Sequence, residues 1–216
     1  MNICIILNGE IKDYKEIKSK ILNENYDYII CCDGGSNHAY NMDLKVDYII
    51  GDLDSIKEDV ISHYKSLDVK FKQFPTKKDQ TDMELGIYLA STLKAKRIDF
   101  IGALGGRIDH TIANINILSY IKDLKIEARI ISEKEIIYFI RNEKINIKGE
   151  IGELLSIIPI NNDAKNITLE GLEYPLKDAT MKYSLPLGIS NVFIKNECMI
   201  QVLDGSLLII HNLGQN

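Results

Sequence analysis

Six carboxylates between residues 33 and 109 stand where apolar runs end, which is where an enzyme would place them to handle phosphate. They are Asp33 in IICCDGG, Asp52 and Asp54 in YIIGDLDS, Asp79 and Asp82 in FPTKKDQTD, and Asp109 in FIGALGGRIDH. A β-branched or aromatic run that breaks into Gly, Asp or Ser reads as a buried strand reaching its loop. In an open α/β sheet, ligands bind in the crevice beyond the carboxyl ends of the strands. Acids gathered there, with Lys77, Lys78 and Arg107 beside them, point to Mg²⁺ and a polyphosphate.

Each motif has a chemical reading and a plainer one. On extended backbone, residues i and i+2 share a face, so Asp52 and Asp54 can reach one hard cation or two neighbouring ones. The plainer reading makes both acids turn caps, with Ser55 as a helix N-cap. Asp33-Gly34-Gly35 lets backbone approach an anion closely, although the same letters serve any tight strand-to-helix turn. Asp82 falls in the first turn of an amphipathic helix whose apolar face runs Met83, Ile87 and Ala90. A carboxylate there repels phosphate unless a cation joins them, and with no ligand it stabilises the helix dipole by ~0.3–1 kcal/mol. Arg107, after a Gly-rich turn, offers a planar fork to phosphate oxygens, with Asp109 and His110 opening the next helix and Asn114 on the His110 face. Ser190 and Asn191, in LGISN, sit as a polar pair between strands or simply build a turn.

The elements that must position these residues are legible as a change of rhythm. Up to about residue 125, short apolar runs alternate with helical patterns such as 13–23, 58–66 and 82–93, which implies a parallel sheet covered on both faces. Two helix starts carry a Ser/Thr-x-x-Glu capping box, Ser55 with Glu58 and Thr81 with Glu84. After about residue 132, eight short strand-like runs follow at hairpin spacing with no helical period, as in an antiparallel sandwich or barrel. The expected fold is therefore α/β plus all-β: a Rossmann-like parallel-sheet domain over 1–130, then a small antiparallel β-sandwich over 131–216.

Composition excludes some functions. A net charge of −5, from 26 basic against 31 acidic residues, argues against bulk nucleic-acid binding. No apolar run approaches the ~20 residues needed to span a bilayer, and no signal-peptide pattern opens the chain. Cys4, Cys31, Cys32 and Cys198 fit no zinc spacing and read as reduced core thiols, so cytoplasmic residence is expected.

Taken in order, DGG, GDLDS, DQTD, GGRIDH and GISN resemble the thiamine pyrophosphokinase family, and the resemblance spans nearly the whole chain. It implies a homodimer with its active site near the subunit interface, ATP and Mg²⁺ over the α/β domain, and transfer of pyrophosphate from ATP to the thiamine hydroxyl, leaving AMP. By matching motifs, Asp52, Asp54 and Asp82 would ligate Mg²⁺ with Asp33 beside them. Asp33, Gly34, Gly35, Lys78, Gln80, Thr81, Arg107, Asp109 and His110 would hold ATP and its phosphates. Asp52, Asp54, Asp82 and Arg107 would be the catalytic set, and Asp82, Ser190 and Asn191 would touch thiamine. Some members of the family stack thiamine on a Trp. This chain has none, so either Tyr174, Tyr183 or Phe193 substitutes as the aromatic face or the contact is absent. A metal-dependent nucleotide hydrolase and a non-catalytic nucleotide or thiamine sensor are the competing classes.

Overall fold

The first six apolar runs become β1 (Asn2–Ile6), β2 (Tyr28–Cys32), β3 (Tyr48–Gly51), β4 (Lys70–Gln73), β5 (Arg97–Ile101) and β6 (Glu127–Ile131). Between them lie α1 (Tyr14–Asn23), α2 (Gly35–Asn41), α3 (Glu58–Lys65), α4 (Asp82–Thr92) and α5 (Ile108–Asp123). The structure, a computed structural model, describes residues 1–74 and 81–214. These elements belong to a compact unit, Met1–Glu133.

All strand pairs in this unit are parallel, in the order β6-β5-β1-β2-β3-β4. From β1 to β4 the chain steps one way along the sheet, and it then crosses back to lay β5 on the other side of β1. The order reverses at β1, so the switch-point crevice opens beyond the ends of β1 and β5. Ile3, Ile5, Ile30, Ile49 and Phe100 are fully buried, as strands covered on both faces require. The edge strand β4 instead exposes Lys70 and Lys72, which discourages further pairing.

Local details depart from the expected pattern in three places. Helix α2 was not anticipated. It packs so closely that a Cβ on Gly35 would lie 2.1 Å from the Ile6 carbonyl oxygen. Helix α3 begins at Glu58 with Lys57 at its N-cap and no side-chain cap bond, so the Ser55–Glu58 box does not form. Ser55 turns away because its N–H faces Asp33 Oδ1 at 3.4 Å and its hydroxyl donates to Asp54. The Thr81–Glu84 box does form. Finally, α4 buries Leu85, Gly86 and Leu89 along with the expected Met83, Ile87 and Ala90, which makes it a core helix rather than a half-exposed one.

Away from the loops that carry the motifs, β5, β6 and α1 share a buried ionic cluster. Asp99, fully buried, accepts from the Tyr26 hydroxyl at 2.8 Å and from Arg129 Nε at 2.8 Å and Nη2 at 2.5 Å, and Arg97 pairs with it at 3.2 Å. Glu24, at the end of α1, bridges Arg97 and Arg129. Burial alone would raise the Glu24 carboxyl, but bonds from Arg129 and then Arg97 outweigh it and hold it below the ordinary 4.5. Glu133 and Glu153 are lowered as well, where backbone N–H bonds outweigh burial. A depressed carboxyl stabilises the fold above its unfolded pKa and loses that contribution as pH falls through its folded value. Thermal unfolding followed from pH 7 to pH 3 should therefore show Tm holding down to about 4.5 and falling below it.

Residues 134–216 form the second unit. One sheet runs β12-β9-β14-β7, from Asn191–Val192, Leu154–Pro159, Ser206–Asn212 and Glu135–Arg141. The other runs β11-β10-β13-β8, from Leu176–Met181, Ala164–Glu170, Glu197–Gln201 and Lys144–Lys148. Every pairing within the two sheets is antiparallel. Ile147, Ile167 and Ile200 from one sheet and Leu155, Ile157, Leu207 and Ile209 from the other share one core, the expected sandwich.

Candidate active site at the strand ends

The register of β2 and β3 brings the acids together. Cys32 pairs with Ile50, so the next residue, Asp33, lies beside Gly51, and its N–H donates to the Ile50 carbonyl at 2.7 Å. Gly51 has φ +145°, and a Cβ there would meet the Asp33 Cβ at 3.0 Å. Only glycine lets the two strand ends close. Asp33 itself takes φ +45° and Leu53 takes φ +71°. Left-handed backbone at non-glycine residues costs on the order of 1 kcal/mol each and persists where surroundings enforce it.

Asp52 and Asp54 do share a site, though not by extended alternation. The left-handed Leu53 folds the segment into a turn in which the Asp54 N–H points at Asp52 Oδ1, 3.3 Å away. Ligand oxygens of Asp33, Asp52 and Asp54 lie within 4.8 Å of one another. Asp33 is buried, Asp52 partly so, and Asp54 exposed, so the group opens outward from a dry floor. Burial raises the Asp33 carboxyl above its ordinary value, bonds from Ser55 and Gly34 pull it partly back, and the charge of Asp82 pushes it up again. That last influence places Asp82, in the first turn of α4, within electrostatic reach of the same group. Converging oxygens that include a desolvated carboxylate suit a hard divalent cation such as Mg²⁺.

A residue outside every motif holds this arrangement. Asn37, on α2, donates to the Ser55 carbonyl at 2.9 Å and accepts from the Lys57 N–H at 3.1 Å, tying α2 to the GDLDS turn. Asn37→Ala removes both bonds. It should raise the Mg²⁺ concentration needed for half-maximal turnover by roughly tenfold, with ~1–3 kcal/mol lost in thermal unfolding. Steady-state rates against Mg²⁺ concentration check this.

The remaining expected residues are distributed as follows. Gly34 and Gly35 open α2 at the end of β2. The Thr81 side chain is committed to its capping box with Glu84. Arg107 and Asp109 form an exposed fork, Nε to Oδ1 at 3.1 Å and Nη2 to Oδ2 at 2.6 Å, and Asp109 is held below the carboxylate range chiefly by that arginine. His110 is exposed, its N–H donating to Asp109, and Asn114 donates to the Ala103 carbonyl. Lys77, Lys78, Asp79 and Gln80 lie outside the described residues.

In the sandwich unit, Ser190 is exposed at φ +58°, and its N–H donates to Ser156 Oγ. The buried Asn191 carboxamide accepts from the Tyr174 N–H at 3.0 Å and donates to the Tyr174 carbonyl at 2.9 Å. It therefore fixes the backbone of a tyrosine whose ring is 62% exposed. Tyr183 is exposed too. Phe193 is not available as an aromatic face, because it is fully buried in the sandwich core.

Comparison with known proteins agrees over both units. Residues 19–130 match the thiamin pyrophosphokinase catalytic domain, and residues 142–207 match the thiamin pyrophosphokinase vitamin B1 binding domain. Thiamine pyrophosphokinase 1 of Arabidopsis thaliana is 29% identical, covering 94% of this chain and 83% of its own length. Thiamine pyrophosphokinase of Bacillus subtilis (strain 168) is 29% identical over 75% of this chain and 76% of that one. The crystal structure of the thiamine pyrophosphokinase from Bacillus subtilis superposes over all of both chains with a TM-score of 0.88 at 25% identity. With both domain models matched in order and the acids converging at the strand ends, the chain belongs to the thiamin pyrophosphokinase family.

Proposed function

We propose that this chain holds Mg²⁺ and the polyphosphate of ATP over Asp33, Asp52, Asp54 and Asp82 and transfers the terminal pyrophosphate to the thiamine hydroxyl, releasing AMP. The observation that carries this reading is the convergence of Asp33, Asp52 and Asp54 within 4.8 Å at the carboxyl ends of β2 and β3. Mg²⁺ bound there would neutralise phosphate charge and polarise the β-phosphorus.

The chain's own residues do the rest. The acids would hold and orient the cation, Asp33 from a desolvated floor where its pull is strongest. Arg107, set in an exposed fork with Asp109 after β5, exchanges that partner for phosphate oxygens. Lys78 and Gln80 add phosphate contacts in the segment before α4, while Gly34, Gly35 and His110 border the nucleotide. Thr81 serves ATP binding by fixing the start of α4, and so the carboxylate of Asp82. A carboxylate of the group accepts the hydroxyl proton as the oxygen attacks phosphorus. The same negative charge attracts the cationic thiazolium. Ser190 and the exposed Tyr174, positioned through Asn191, supply thiamine contacts from the sandwich unit.

A homodimer accompanies this reading. Exposed Leu185, Leu187 and Ile189 in the sandwich unit, and Ile108 and Ile112 on α5, are apolar surfaces that a second copy would cover. Cytoplasmic residence fits four buried free thiols, and no helix among the described residues is long and apolar enough to cross a membrane.

The test is product analysis by ³¹P NMR with protein, ATP, Mg²⁺ and thiamine. Thiamine diphosphate and AMP should appear in equal amounts and only when thiamine is present. ADP or free phosphate formed without thiamine would favour the hydrolase class and overturn the reading.

A further inference from the structure

The turn after β1 belongs to none of the acidic motifs, yet it is anchored from two sides at the switch point. Its Gly9 N–H donates to the Gly102 carbonyl at 2.8 Å, and its Glu10 N–H donates to the Leu104 carbonyl at 3.0 Å. Both bonds tie it to the loop that leads to Arg107. From the other side, His38 on α2 reaches the Gly9 carbonyl with Nε2 at 2.8 Å. A carbonyl only accepts, so Nε2 carries the proton and Nδ1 accepts from the Tyr14 hydroxyl at 2.9 Å. Tyr14 in turn accepts from Asn41 at 3.2 Å. Burial lowers the His38 pKa, which keeps this tautomer neutral at physiological pH.

What this scaffold presents is Asn8. A Cβ on Gly34 would lie 2.4 Å from Asn8 Cγ and Nδ2 and 2.5 Å from Oδ1, so the carboxamide rests on the Gly34 backbone, one residue from Asp33. Asn8 is exposed, and among the described residues its side chain has no hydrogen-bond partner. An unused donor and acceptor are thus held on rigid backbone beside the acid group. A phosphate would use only the donor half of a carboxamide, whereas a vicinal diol uses both halves.

Building on the proposed ATP site, we infer that Asn8 binds the ribose hydroxyls of the nucleotide and that His38 is the positioning residue that holds its turn. This makes Asn8 a specificity-determining residue for a ribonucleotide donor. The polyphosphate lies over the acids, and the nucleoside end lies over the turn after β1.

AMP tests this without the metal. Calorimetric titration should show the wild-type chain binding AMP roughly tenfold tighter than 2′,3′-dideoxy-AMP, and Asn8→Ala binding both with the weaker affinity. His38→Ala should produce the same loss of discrimination, the double variant should be no worse than either single one, and His38→Gln, which keeps a donor towards Gly9, should recover part of it. Thermal unfolding and Mn²⁺ binding measured on each variant separate these effects from a general loss of fold. An unchanged AMP to dideoxy-AMP ratio in folded Asn8→Ala overturns the assignment of Asn8, and additive losses in the double variant overturn the role of His38. Failure of the acid-group reading is seen separately, as Asp52→Asn keeping full Mg²⁺-dependent turnover while AMP binding stays ribose-selective.

Discussion

Asp52→Asn should lower turnover by roughly a hundredfold to ten-thousandfold while the protein stays folded and still binds AMP. The change keeps the shape of the side chain and removes one of the charges that converge with Asp33 and Asp54. Coordination of a hard cation depends on charge, so an amide oxygen in the same position holds Mg²⁺ poorly. Relief of repulsion within the acid group should leave the metal-free protein as stable as the wild type, or more so. Mg²⁺ should therefore raise the Tm of the wild type and barely move that of the variant, as binding linkage requires. Calorimetry with and without Mg²⁺, beside the rate assay, reads both effects. A variant with normal turnover would remove Asp52 from the metal site.

Asp99→Ala should have the largest effect on stability, with little effect on chemistry. Asp99 is fully buried and receives Tyr26, Arg129 and Arg97. Truncating it strands buried guanidinium and hydroxyl groups with Glu24 as the remaining carboxylate, which costs about 3–5 kcal/mol. For a chain of this size the fall in Tm is on the order of 10 °C. Its partners sit just after α1, at the start of β5 and within β6, away from the loops that carry the acid group. The kinetic constants measured well below the new Tm should therefore stay within about twofold of the wild type. Differential scanning calorimetry and rates at low temperature check the two halves of this expectation. A Tm within a degree of the wild type would mean that the cluster contributes nothing to stability.

Contrasting the two sites explains how much was legible beforehand. Strand-end acids show themselves in sequence because a buried run must stop somewhere, and Asp after Ile-Ile-Gly or Ile-Cys-Cys marks the stop. The alternation of strands and helices, and its replacement by hairpin spacing after residue 132, reflect periodicities that local sequence dictates. The route by which Asp52 meets Asp54 was not legible, because it depends on Leu53 adopting φ +71° under constraint from neighbouring elements. Ser55 carried a valid capping signature, and its tertiary partner Asp33 overrode it. Helix α2, seven residues opening on glycine, is too short for a period to register. Asn8, Asn37 and His38 stand in no motif at all. Their roles arise from contacts across 20 residues or more of chain, such as Asn37 with Lys57 and His38 with Gly9, and no local pattern encodes those. Phe193 looked like a surface aromatic, but the sandwich needed it for its core.

The most direct measurement is anomalous diffraction from crystals grown with Mn²⁺ and α,β-methylene-ATP, which blocks cleavage between the α- and β-phosphorus. The expected map has a manganese peak within coordination distance of Asp33, Asp52 and Asp54, with phosphate oxygens completing its shell and the ribose against Asn8. A nucleotide bound with its metal remote from those three carboxylates would contradict the proposed centre.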